Sequence, residues 1–147
     1  MSNLENKLKE IVNTFNNNDR NLAYKEIKKL STKFNKNIKV LNVLSQISQN
    51  IGDLDTTINS LKKILLIEKN NIKYLSRIYK LFLTKSLFDE ALENINLVLR
   101  IDKNNYEARR DKAYIYFLKN NFNSAKKNID NISKLKEDDF LAHNIKG

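Results

Sequence analysis

The sequence predicts an all-α fold, a right-handed superhelical solenoid of four 34-residue helix–turn–helix repeats followed by the start of a fifth. Three observations predict it. First, Ile27, Leu61, Ile95 and Ile129 recur at a constant step of 34 residues, and Leu30, Ile64, Val98 and Ile132 form a second apolar column three residues later. Second, Ala23, Thr57, Ala91 and Ala125 form a column of small residues, with Leu54, Phe88 and Phe122 as a fourth column broken by Arg20. Third, the chain has no proline and only 2 glycines, which suits continuous helices joined by short turns.

The repeats run 4–37, 38–71, 72–105 and 106–139 without insertion, so residues 1–147 read as one repeat domain. Each repeat divides into helix A, a turn and helix B. The turns contain Asn16-Asn17-Asn18, Gly52-Asp53, Lys85-Ser86 and Asn120-Asn121. Glycine and asparagine tolerate the left-handed backbone that ends a helix. Repeats join through Asn35-Lys36-Asn37, Lys69-Asn70-Asn71, Lys103-Asn104-Asn105 and Asp138-Asp139. Asparagine and aspartate there can accept from the free amides of the next helix. Helix B of the third repeat shows the clearest stripe, with Phe88, Ala91, Leu92, Ile95, Val98 and Leu99 at helical spacing. Its helix A carries Leu75, Ile78, Tyr79 and Phe82. Apolar faces on both helices require packing within and between pairs.

The last residues, Phe140 to Gly147, read as the opening of a fifth helix A, as in a fragment of a longer protein. Ile129, Ile132, Phe140 and Ile145 are then expected to lack cover, and the chain to fray or self-associate at that end.

Charge and composition exclude more than they assign. The net charge is +10, but the repeats carry +4, +1, +2 and +2, with no dense basic run. The basicity accords with a chain rich in lysine, asparagine and isoleucine better than with a phosphate-binding stripe, so nucleic acid is not the expected partner. Non-specific RNA binding rests on charge alone. The absence of cysteine excludes disulfides and thiol chemistry. No basic segment followed by an apolar stretch opens the chain, and the run Ile64-Leu65-Leu66-Ile67 is too short to span a bilayer. A soluble, cytoplasmic protein with no membrane contact is expected.

Catalysis finds no support. His143 is the only histidine. Asp89-Glu90 and Asp138-Asp139 read as charges at helix starts. Neither a glycine-rich phosphate loop nor a metal-ligand spacing is present, so no metal or cofactor is expected. Tyr114, Tyr116 and Phe117 on one helix read as packing residues before base-stacking ones.

The columns resemble the tetratricopeptide repeat (TPR) family over essentially the whole chain. Repeat three carries the resemblance through Leu75, Ile78, Phe82, Phe88 and Ala91, and repeat four through Ala113, Tyr116, Phe122 and Ala125. Repeat two adds Leu41, Leu44, Ser45 and Leu54. Pentatricopeptide repeats are the nearest rival, but they favour a longer period. The chain departs from the TPR pattern where Asn35, Lys69, Lys103 and Glu137 replace the usual proline. Tyr79 stands at a small-residue position, so a spread helix pair or an outward-tilted ring is expected. In repeat one, Leu8, Ile11, Val12 and Phe15 sit one residue late, implying a turn shortened by one.

The resemblance implies a protein-binding scaffold whose concave groove is lined by helix A and holds an extended peptide or a partner surface. With the shifted register in repeat one, the implied lining is Lys9, Asn13 and Asn16, then Lys39, Asn42, Gln46 and Gln49. It continues with Lys73, Arg77 and Lys80, then Arg110, Tyr114 and Phe117. Amides can pair with a peptide backbone, and the cations favour an acidic segment or C-terminus. Lys9, Asn13, Lys73 and Arg77 match four places of the carboxylate clamp found in some TPR proteins, while Val43 stands where that clamp has asparagine and Asn42 is one residue off. A second reading makes the chain the substrate-presenting TPR region of a longer sulfotransferase or glycosyltransferase.

Overall fold

The structure, a computed structural model, describes residues 2–119 and 126–130. Seven helices have defined bounds: α1 (Asn3–Asn16), α2 (Arg20–Lys33), α3 (Ile38–Ile51), α4 (Leu54–Ile67), α5 (Ile72–Thr84), α6 (Phe88–Ile101) and α7 (Tyr106–Leu118). Residues 126–130 are also helical, and no β-strand occurs among the described residues. The chain forms two compact units, one over Met1–Lys69 and one beginning at Asn70.

The joins work as the sequence predicts. The side chains of Asn37, Asn71 and Asn105 accept from the amides of Val40, Lys73 and Ala108 at 3.1, 3.0 and 2.9 Å. Each satisfies one of the amides that a helix start leaves without a partner. Asp138-Asp139, the corresponding pair after repeat four, lies outside the described residues.

Within a repeat the turn is built the same way three times. The amides of Asp19, Asp53 and Leu87 donate to the carbonyls of Thr14, Ser48 and Phe82 at 3.2, 2.9 and 2.8 Å. Between them Asn18, Gly52 and Ser86 adopt positive φ angles of 70°, 97° and 57°. These bonds satisfy the last carbonyls of helix A and require one left-handed residue. Donors, acceptors and left-handed residues all step by 34, so the turn of repeat one is not shortened.

In the first unit α1 packs on α2, α2 on α3 and α3 on α4, with α1 also touching α3. Leu8, Ile11, Ala23, Ile27, Leu30, Val40, Leu44 and Ile47 form one buried cluster, flanked by Leu4, Phe15, Tyr24, Phe34 and Val43. The Tyr24 hydroxyl donates to the Asp53 carboxylate, which also receives the amide and hydroxyl of Thr56. The hydroxyl of Tyr24, then that of Thr56, hold the Asp53 carboxyl below its usual range.

In the second unit α5 packs on α6 and α6 on α7. Tyr79 is 1% exposed, so its ring points inward, against the expected outward tilt. Its hydroxyl reaches Asp111 on α7 at 2.7 Å, which lets a large polar ring occupy a small-residue position while keeping its donor satisfied. Burial, with Asp111 alongside, pushes the phenol well above its ordinary range, so it stays a neutral donor.

The apolar columns are buried as expected. Ile27, Leu61 and Ile95 are 0% exposed and Ile129 is 1% exposed. Ile129 packs with Ala113, and Tyr106 covers them, so the expectation that it would lack cover fails. Ala23, Thr57 and Ala91 are fully enclosed, and Leu30, Ile64 and Val98 are also buried. Phe122, Ala125, Ile132, Phe140, His143 and Ile145 lie outside the described residues, so the expected fifth helix and frayed end fall there as well.

Candidate functional site

The late stripe of repeat one has a different cause from a shifted turn. In α3 the positions Val40, Leu44 and Ile47 are buried, as are Tyr74, Ile78 and Leu81 in α5. One period earlier, α1 carries Asn6, Glu10 and Asn13 at those places, and all three are exposed. Half of the usual apolar stripe is therefore polar in α1, and what remains is centred on Leu8 and Ile11.

The common frame redistributes the expected lining. Asn13 shares its column with Ile47, Leu81 and Ile115, not with the polar face of the other A helices. Lys9 stays on that face, in the column of Val43, Arg77 and Asp111. Asn42 shares a column with Ser76 and Arg110, and Gln46 shares one with Lys80 and Tyr114.

In the first unit this face is sparse. Lys9 and Gln46 are exposed and Asn42 is half-buried. Lys39 donates to Glu5 at 3.0 Å across α1 and α3. That contact holds the Glu5 carboxyl below its usual range, although both groups are largely exposed and the pair adds little stability.

The second unit is richer. Lys73 and Arg77 lie one turn apart on α5, with Lys80 on the following turn. The Lys73 ammonium sits 5.7 Å from the centre of the Tyr74 ring. Arg77 is half-buried, and that burial lowers its guanidinium from the ordinary value, with Tyr74 opposing. From α7, Glu107 places a carboxylate oxygen 2.6 Å from Lys80 Nζ and 3.9 Å from the Arg110 guanidinium. Arg110 also contacts Asp111 at 3.2 Å. Asp111 thus joins two systems, accepting from Tyr79 beneath and from Arg110 at the surface. Tyr114 and Phe117, both 37% exposed, continue this face along α7.

Sequence reasoning missed the two acids among these cations. Opposite charge one period apart was a signal for the Glu5–Lys39 pair, but Glu107 and Asp111 meet cations off that period, Lys80 and Arg110. Among the described residues no group of histidine, cysteine, aspartate or glutamate could hold a metal ion. No helix among them is long and apolar enough to cross a membrane.

Paired helices with 34-residue columns, capped joins and a repeated left-handed turn are the TPR fold. No protein-family model matches the chain, and no curated protein matches it. Solved structures do. A TPR protein from Parabacteroides merdae ATCC 43184 superposes with a TM-score of 0.82 at 21% identity, over 96% of this chain and 56% of that protein. This chain thus spans about half the length of that relative. MamA gives a TM-score of 0.76 at 15% identity, covering 91% of this chain and 78% of MamA. YrrB, described as a TPR protein with an unusual peptide-binding site, gives 0.74 at 16% identity, covering 90% of this chain and 69% of YrrB. At these identities the likeness is one of fold.

Proposed function

We propose that this chain is a protein-binding scaffold and that its helix A faces receive an extended peptide or partner surface with acidic character. One observation supports this most. The α5–α7 face gathers Lys73, Arg77, Lys80 and Arg110, and it already holds a carboxylate, that of Glu107, between Lys80 and Arg110. An incoming acid would meet the same donors. Charge-assisted bonds of this kind are strong, but on an open face they weaken with salt. Lys9, Asn42 and Gln46 offer a more polar face on the first unit, suited to backbone amides. Tyr114 adds a flat apolar surface beside the cations. Asn13 falls out of this reading, because its column belongs to helix packing.

The test is a titration with acidic peptides bearing free or amidated C-termini, against the wild type, Lys73→Ala/Arg77→Ala and Asn13→Ala. The double variant is expected to lose about tenfold or more in affinity, on the scale of one or two charged hydrogen bonds. Asn13→Ala is expected to bind as the wild type does. Equal binding of free and amidated peptides removes the clamp reading and leaves an internal acidic segment as the ligand. Unchanged affinity in the double variant overturns the α5–α7 face as the binding site.

A further inference from the structure

A second surface, away from the helix A faces, lies at the end of α4. Leu66 is 75% exposed and Ile67 50% exposed, the two highest values among the large hydrophobic side chains described. Together with Asn35, Lys36 and Lys63 they line a depression of about 410 Å³. That volume falls within the range of sites that enclose part of a ligand.

Scattered exposed leucines need no explanation, but this pair is not scattered. Its two members are adjacent and open into one depression. Nor does the repeat require Leu66. One period away the same position is Thr32 and Arg100, so polar residues serve the fold there. The residues that α4 buries are Thr57, Ile58, Ser60, Leu61 and Ile64. Leu66 thus leaves a large apolar side chain in water for no packing gain, at a place where the repeat accepts charge.

The rim specifies the partner. Lys63 lies three and four residues before Leu66 and Ile67, so it shares their side of α4. Lys36 approaches from the α2–α3 join. Both lysines thus stand beside Leu66 and Ile67 in the lining of the depression. An apolar centre ringed by like charges is the layout of an interface whose anchor is hydrophobic and whose charged rim selects the partner.

We propose that this depression docks a segment of a partner protein that inserts a large apolar side chain between Leu66 and Ile67. Carboxylates on either side of that anchor pair with Lys36 and Lys63. The site is independent of the α5–α7 face and stands or falls separately from it.

The probe is a fluorescein-labelled peptide, capped at both ends, with leucine and phenylalanine one helical turn apart among glutamates. A second peptide replaces the glutamates with lysines. Fluorescence anisotropy is read on the full chain carrying Lys73→Ala/Arg77→Ala, which silences the other face, and on the same background with Leu66→Ser or with Lys36→Glu/Lys63→Glu. Leu66→Ser keeps the polar character the other repeats show at this position, and circular dichroism checks its fold. The acidic peptide is expected to bind the background protein, and both added changes to weaken it by about tenfold or more. The lysine peptide is expected not to bind. Equal binding to the Leu66→Ser protein overturns the proposal. So does a dimer seen by sedimentation that Leu66→Ser dissolves, since the occupant is then a second copy. Leu66-dependent binding to phosphatidylserine vesicles without peptide binding also overturns it, in favour of a lipid surface.

Discussion

Repeats two and three fill equivalent columns with different chemistry. In repeat two, Ser45, Ser48 and Thr57 are fully buried. Their hydroxyls are satisfied locally: Ser45 donates to the Asn42 carbonyl at 2.7 Å, Ser48 meets Thr57 at 2.8 Å, and Thr57 donates to the Asp53 carbonyl at 2.9 Å. One period later the same columns hold Tyr79, Phe82 and Ala91. Here the polar atom sits at the far end of a buried ring and is answered from the next repeat, by Asp111. The repeat therefore dictates backbone path and burial, while each copy is free to choose its volume and its polar partners. The buried hydroxyls of repeat two find partners within the repeat. Repeat three depends on α7 for the partner of the Tyr79 phenol.

That contrast can be broken at Tyr79. Tyr79→Ala should cost about 3–5 kcal/mol through the cavity left in a close-packed site. Tyr79→Phe keeps the volume and removes only the donor to Asp111, so about 1–3 kcal/mol is expected. Urea unfolding measures both, and a Tyr79→Phe protein as stable as the wild type would show that the link to α7 has no energetic role. The counterpart in repeat two is milder. Thr57→Val removes one hydroxyl from a local network in which Ser48 still has the Ser45 carbonyl at 3.2 Å. A loss of about 1 kcal/mol is expected, and a loss equal to that of Tyr79→Phe would erase the distinction between the two repeats.

The turns sharpen the comparison in the opposite direction. Asp19 and Asp53 cap their B helices through their side chains, whereas Leu87, in the same column, makes no such bond. Leu87→Asp should therefore stabilise the chain by about 0.5–2 kcal/mol, read as a raised midpoint in the same urea series. A destabilised Leu87→Asp protein would mean that the half-exposed leucine contributes packing that outweighs a cap. Acid should weaken the Asp53 network that joins Tyr24 to the start of α4. The folded-state pKa of Asp53 is lowered, so its contribution is complete above the ordinary carboxyl range and is lost as pH falls through and below it. Asp53→Asn should reduce the acid sensitivity of unfolding, and an unaltered pH profile would count against the Tyr24–Asp53–Thr56 network.

How much was legible follows the same division. The column residues Ile27, Leu61 and Ile95 were readable because burial repeats with the backbone, and a single fixed period exposes it. The asparagine caps were readable because their chemistry is local to a few residues. Tyr79 was misread because its partner lies 32 residues away, where composition and local spacing carry no signal. The register of repeat one was misread because Asn6, Glu10 and Asn13 removed half of an apolar stripe, and a narrowed stripe looks like a displaced one. The cations of the α5–α7 face could be placed on one side of a helix. The Lys80–Glu107 pair could not, since it depends on how one A helix lies against the next.

The central claim is that residues one period apart perform the same structural work whatever their neighbours choose to do. Parallel urea unfolding of Ile27→Ala, Leu61→Ala and Ile95→Ala tests it most directly. All three side chains are fully enclosed, so each variant is expected to lose about 2–5 kcal/mol, as buried aliphatic truncations do. A loss within about 0.5 kcal/mol for any of the three, the range of ordinary surface changes, would contradict the claim.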